Sequence, residues 1–244
     1  VGDEQSLQQS LSTFSSHLSN LLEILNHSGD KTLVLIDGVR VAAAGTGAVT
    51  WESLDPAVIE RIEIVRGPRA ARWGSDAIGG VVQIFTRRPN GVSSRMAIGS
   101  YGERSLSVAA GTDQFSLTAS HRRVDGFSAQ NPMGFAFDPD DDGLDQTSAA
   151  VRWVFPIGNG TLEAHARAVQ GDIEFDQGES ELLNYSGGLD YQLDRERGWS
   201  WSGQLLTLRD ELESSTPFGE SKLITERVQA GVQGERRFDS GLRW

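Results

Sequence analysis

The chain contains no cysteine, which excludes disulfides, thiolate metal centres and a cysteine nucleophile. No apolar run approaches the roughly 18 residues that a membrane-spanning helix needs. Basic residues are outnumbered, 22 against 34 acidic ones, for a net charge of −12. That balance argues against nucleic acid as the main partner, because a phosphate backbone is held by a positive surface. Histidine is scarce: His17, His27, His121 and His165 are scattered, with no Glu-x-x-His or His-x-x-x-His spacing for a metal. There is no G-x-S-x-G elbow either, and no enzymatic activity is expected. The missing long apolar runs do not exclude a membrane. Transmembrane barrels are built from alternating strands whose average hydropathy is low.

What is present, from Gly91 onward, is period two. Leu162, Ala164, Ala166 and Ala168 alternate with Glu163, His165 and Arg167, and Leu183, Tyr185, Leu189 and Tyr191 with Asn184, Ser186, Asp190 and Gln192. Trp199, Trp201 and Leu205 alternate with Ser200, Ser202 and Gln204. The pattern predicts about eight two-faced strands. They lie near 92–99, 104–111, 115–128, 147–157, 161–175, 183–194, 199–213 and 222–238, with another opening at Gly241. Short turns at Thr112–Gln114, Gly158–Gly160, Arg195–Gly198 and Asp239–Gly241 alternate with longer loops at Gln130–Gln146, Asp176–Leu182 and Ser214–Ser221. This is the rhythm of an up-and-down outer-membrane barrel. Alternation alone equally suits a soluble β-module with one wet face, such as a calcium-dependent carbohydrate-binding or adhesion domain. Trp153, Phe155, Trp199 and Trp201 sit near short-turn ends, the place of an interfacial girdle; packing on cross-strand neighbours is the other reading.

The first part of the chain is different. Residues 1–30 are Ser-, Leu- and Gln-rich, with Leu18, Leu21, Leu22 and Leu25 at helical spacing. Residues 31–90 read as a small α/β unit. A strand near Lys31–Ile36 is followed by small residues, and Ser53 or Asp55 can cap a helical turn that has Pro56 at its first position. Two apolar-alternating strands, Ile59–Arg66 and Gly80–Thr86, flank a connection opened by Gly67-Pro68. The segments Ile36-Asp37-Gly38-Val39-Arg40, Ile59 to Pro68 (IERIEIVRGP) and Trp73 to Val82 (WGSDAIGGVV) closely resemble the plug domain of TonB-dependent outer-membrane receptors, especially their cobalamin-transporting branch.

The resemblance implies a mainly β protein: a partial α/β plug over residues 31–90, then antiparallel barrel strands over 91–244. Barrels wide enough to be plugged have about 22 strands, so this chain is expected to be a fragment holding the later plug and the first third of a barrel. It also implies an outer-membrane location, lipid contact, uptake of cobalamin or else of a siderophore or haem, and energy supplied by TonB. The chain has no TonB-box-like segment, and of the family's I-R-G motif only Ile24 is in place.

Three groups of residues are candidate sites. Asp138-Pro139-Asp140-Asp141-Asp142-Gly143 places carboxylates at alternate positions before a glycine, a pattern suited to Ca²⁺. Ala149 stands where an EF-hand needs its closing glutamate. The resemblance implies a calcium-binding outer loop with Asp138, Asp140 and Asp142, joined by Asp176; a solvated acidic loop is the alternative. In the stretch Ala42–Thr50, small residues let backbone approach a bulky ligand. The resemblance assigns substrate contact there to Ala42, Ala43, Ala44, Thr46 and Thr50. Gly45-Thr46-Gly47 fails as a dinucleotide loop because Thr50 holds the third glycine position. Finally, the resemblance gives Glu60, Glu63, Arg66 and Arg69 the role of fastening the plug to the barrel wall; a solvated strand face is the bland reading.

Overall fold

The computed structural model describes residues 32–236 apart from 44–46, 68–72, 74–76, 129–132, 135–136 and 197–198. The helix expected around Leu18–Leu25 and the strand expected from Gly241 lie outside the described residues.

Two sheets account for the fold. The smaller holds β1 (Thr32–Ile36), β2 (Val39–Arg40), β3 (Ile59–Arg66) and β4 (Gly80–Thr86), in the order β2-β1-β4-β3. β1 lies parallel to β4, and the other pairs are antiparallel. The apolar run Leu33–Ile36 reflects burial on both faces of β1, as expected of a covered parallel strand. Val34 and Ile36 pack with Val41, Val58, Ile59, Val82 and Ile84, while Leu33 and Leu35 pack with Ala77 and Val81. The β1–β2 hairpin closes on Asp37-Gly38, with φ of 45° and 83°, the left-handed pair that an Asp-Gly two-residue turn favours.

The larger sheet runs in simple up-and-down order through β5 (Gly91–Ile98), β6 (Arg104–Gly111), β7 (Phe115–Val124), β8 (Leu144–Ile157), β9 (Gly160–Phe175), β10 (Gly178–Glu196), β11 (Trp199–Thr216) and β12 (Gly219–Arg236). Two predicted loops are corrected. Asp176–Leu182 and Ser214–Ser221 are mostly strand, with turns only at Asp176-Gln177 and Pro217-Phe218. The apolar alternation fades there, but the ladder continues because the outward pairs become ionic. Arg209 faces Glu226 across the strands, and Glu213 faces Lys222.

Direct cross-strand partners form rows that settle which face is wet. One outward row is Phe115, Trp153, Ala164, Leu189, Leu205 and Ala230; the next is Leu117, Val151, Ala166, Gly187, Thr207 and Val228. The inward row beside them is Ser120, Ser148, Val169, Asn184, Asp210 and Thr225, all of it buried. Apolar residues face out and polar ones face in, the reverse of a soluble sandwich and the arrangement of a barrel wall in lipid. Val228 and Val232 are 74% and 79% exposed, a placement that a hydrocarbon surrounding makes favourable. Trp153 stacks on Phe155 at 4.6 Å, and Trp199 on Trp201 at 5.8 Å. Both pairs lie at the short-turn end, where an interfacial girdle belongs.

Candidate functional site

The segment between β2 and β3 leaves backbone groups without strand partners. Burying it requires donors and acceptors from elsewhere, and the inward face of the larger sheet supplies them. Asp55 is 1% exposed. Its Oδ1 accepts the Ala57 N–H at 2.8 Å, but residues 56–58 form a turn where the sequence predicts a helical turn, and the 3-10 helix nearby, Trp51–Ser53, has no side-chain cap. Its Oδ2 accepts the hydroxyls of both Ser120 and Ser148. In the same row, the Thr50 hydroxyl donates to Asp210 at 3.2 Å, and Asp210 also takes the Asn184 amide at 2.8 Å. Thr50 and Asp55 thus lie along one row of the wall.

The rows on either side complete the seat. Gln146 donates to the Glu52 carbonyl. The buried Arg167 guanidinium donates to the Ser53 carbonyl and, at 3.1 Å, to Asn184. Arg227 donates to the carbonyls of Arg40 and Ala42 at 2.9 and 3.1 Å, and Gln229 accepts the Arg40 N–H at 3.0 Å. Between them Val39 packs on Leu206 and Leu208. Toward the short-turn end, the Asp37 carboxylate accepts the Thr86 hydroxyl and N–H at 2.6 and 3.1 Å and faces Arg152 at 3.8 Å. Arg152 also meets Glu163 at 3.0 Å, and Arg88 lies 3.6 Å from the same carboxylate.

Of the expected fastening charges, the three that are described do not touch this wall. Glu60, Glu63 and Arg66 lie exposed on β3, where Arg61 bridges Glu60 at 3.7 Å and Glu63 at 2.8 Å. Their strand is the sheet edge opposite β2, and β2 is the edge that meets the wall. Arg69 lies outside the described residues. Fastening to the described strands falls instead to Asp37, Asp55, Arg152, Arg167, Asp210 and Arg227. The signal for four of these was a charged residue at an inward position of an alternating strand.

Of the expected ligand loop, Ala44 and Thr46 lie outside the described residues. Ala42 and Ala43 are buried, and Ala43 closes a small turn by donating to the Ala48 carbonyl at 2.7 Å and accepting the Gly47 N–H at 2.9 Å. The Thr50 hydroxyl is committed to Asp210. In the acidic loop, Asp176 accepts the Asp138 N–H at 3.0 Å and the Ser128 hydroxyl at 3.5 Å, so the two outer connections are neighbours. The carboxylates of Asp138, Asp140, Asp142 and Asp176 do not bring three ligand atoms within 4.8 Å of one another; among the described residues Glu163, His165 and Asp190 do.

Comparison with known proteins agrees with this architecture. Residues 8–81 match the family model of the TonB-dependent Receptor Plug Domain. The Vitamin B12 transporter BtuB of Vibrio cholerae serotype O1 (strain M66-2) is 30% identical over 202 residues, covering 75% of this chain and 32% of that protein. The Vitamin B12 transporter BtuB of Photobacterium profundum is 30% identical over 231 residues, 86% of this chain and 37% of that protein. The chain therefore spans about a third of the length of the curated relatives it matches. Among solved structures, the siderophore receptor PiuA from Acinetobacter baumannii superposes with a TM-score of 0.66 at 10% identity, over 87% of this chain and 36% of that one. The open form of the ferric-catecholate import receptor Fiu from E. coli K12 gives 0.62 at 13%, over 85% and 40%. These structures share the fold. All four relatives are transporters or receptors and none is an enzyme. The plug match, the inside-out wall and the seating of one on the other lead to a single assignment: the chain belongs to the TonB-dependent receptors, β-barrel proteins of the outer membrane.

Proposed function

We propose that this receptor takes up cobalamin, drawing on TonB to shift the plug. The observation that carries the transport reading is the nature of the plug seat. Among the described residues, the contacts of the plug with the wall include many hydrogen bonds and ion pairs, which water can replace when the plug moves. Cobalamin is favoured over a siderophore or haem because the B12 transporters share 30% identity over most of this chain. The siderophore receptors resemble it in fold. Substrate would meet the Ala42–Thr50 stretch, whose small side chains admit a bulky chelate.

Growth on cobalamin of a host lacking its own B12 receptor but carrying this gene tests the proposal. Restored growth supports it. Failure with cobalamin, together with rescue by a ferric siderophore or haem, refutes the substrate. Calcium is part of the same proposal, as an ion that draws the 138–142 loop toward Asp176. Isothermal titration of the detergent-folded chain should show Ca²⁺ heat that Asp176→Asn removes; no heat at millimolar ion rejects the site.

A further inference from the structure

Glu163, His165 and Asp190 stand together on the lumen side of β9 and β10, and we infer that they form a binding site for a divalent transition-metal ion of the Zn²⁺ or Co²⁺ class. Glu163 and Asp190 are direct cross-strand partners, and His165 lies two residues along β9 on the same face. One ligand atom from each falls within 4.8 Å of the others, and His165 Nδ1 is 3.4 Å from an Asp190 oxygen.

The histidine itself points to a missing ligand. Its side chain is 8% exposed, and neither ring nitrogen has a hydrogen-bond partner. Leaving buried polar atoms without partners is costly, and a metal ion would satisfy one of them. Directly across from His165 is Gly188. A Cβ at that position would stand 2.9 Å from the ring Cε1 and 3.1 Å from Nε2, so the glycine gives the imidazole room to lean toward Asp190.

The surroundings are those of an outer coordination shell. Arg152 at 3.0 Å and Arg88 at 3.6 Å hold the Glu163 carboxylate in place, as outer-shell groups do for metal ligands. The donor set selects the ion. One imidazole and two carboxylates with an open position suit Zn²⁺ or Co²⁺. Ca²⁺ and Mg²⁺ prefer oxygen alone, and a chain without cysteine offers no thiolate for a softer metal. The site is separate from the acidic outer loop and does not depend on which chelate the receptor imports.

The test is a titration of the untagged full chain, folded in detergent, with Co²⁺ as a spectroscopic probe. The expected result is one equivalent bound with a visible d–d band, displaced by Zn²⁺ but not by Ca²⁺. His165→Ala should abolish the band, Asp190→Asn should weaken binding by at least about tenfold, and His121→Ala should leave it intact. Far-UV spectra establish that each variant keeps its strands; Asp190→Asn carries the test should His165→Ala lose them. No Co²⁺ band in the wild type, unchanged binding in a folded His165→Ala or Asp190→Asn chain, or displacement by Ca²⁺ would each overturn the site.

Discussion

Asp55→Ala tests the docking of the plug most directly. The substitution removes an acceptor that is 1% exposed and serves three donors: the Ala57 N–H and the hydroxyls of Ser120 and Ser148. Hydrogen bonds to a charged group contribute about 1.5–3 kcal/mol each. They are not lost in full here, because the two serine hydroxyls already lie 2.7 Å apart and can satisfy each other. The remaining cost is the orphaned Ala57 N–H and the lost attachment to the wall, together about 3 kcal/mol. At 1.4 kcal/mol per factor of ten this is about a hundredfold in the opening equilibrium. Asp55→Asn keeps the Oδ1 acceptor and offers an amide to hydroxyls that can rotate to accept it, so it should cost only about 1 kcal/mol.

Amide exchange at Val58 and Ile59, whose N–H groups bond the carbonyls of Asp55 and Pro56, reports this opening. Exchange should quicken by about two orders of magnitude in Asp55→Ala and several-fold in Asp55→Asn, with β10 and β11 unchanged. Rates within about a factor of two of wild type would remove Asp55 from the docking. Equal acceleration in β10 would mean general unfolding rather than release of the plug, and would equally defeat the reasoning.

Four further outcomes are expected. Arg167→Met strips the donor from the Ser53 carbonyl and from Asn184 and should cost about 2–4 kcal/mol, read by the same exchange experiment. Combined with Asp55→Ala it should cost less than the sum, since both hold one segment. Val39→Ala loses the contact with Leu206 and Leu208 and should weaken the β1–β2 hairpin's attachment by about 1–2 kcal/mol, with residues 33–40 exchanging faster. Val228→Arg places a cation on the lipid face, at a cost of about 2–4 kcal/mol near the bilayer midplane. Insertion into vesicles should fall, while the lumen-side Gln233→Arg inserts normally. Above the hydrocarbon belt, hydrogen bonds from Lys222 and then Arg209 hold the Glu211 carboxyl down to about 2, from a usual 4.5. A lowered value stabilises fully above the usual pKa and fades as pH falls through the lowered one, so these outer pairs should be unchanged between pH 8 and 5. An NMR titration of Glu211 with a midpoint near 4.5 would contradict this.

How far the sequence could be read depended on the range of the interaction. Period two located the strands, since lipid on one side and water on the other impose opposite chemistry on successive residues. Asp55 before Pro56 was legible as a side-chain acceptor for the backbone that follows, because that is a local requirement, although the element it closes is a turn and not a helix. The strand ends beyond the membrane were missed. Hydrophobic contrast stops at the border of the hydrocarbon, while the ladder continues through pairs such as Glu213 and Lys222. The plug seat was missed for another reason: Thr50 and Asp210 are 160 positions apart, and only strand register places them in contact. Glu60 and Glu63 carry suitable charges, but nothing local says which edge of the small sheet meets the wall. The Glu163–His165–Asp190 group escaped a search for His-x-x-x-His because its ligands come from two strands, where the relevant spacing is register and not sequence distance.

The distribution of polar and apolar contacts has a mechanical consequence. Inside the plug, β1 and β4 are joined by two apolar clusters, and separating them would expose hydrocarbon at about 25 cal/mol for each Å². Between plug and wall, Arg167 and Arg227 donate to backbone carbonyls, and Asp55 and Asp210 accept from hydroxyls. Breaking these in a wet lumen exchanges protein partners for water, at a net cost of about 1.5–3 kcal/mol for each bond to a charged group, and each can be broken singly without exposing hydrocarbon. A pull applied to the plug would therefore detach it as a folded body before it unfolds. Among the described residues, the buried apolar cluster that crosses this seat is Val39 with Leu206 and Leu208, where water is no substitute. Detachment should thus begin along the Thr50–Asp55 row and end at the β1–β2 hairpin, because the last contact to go is the one that water cannot replace.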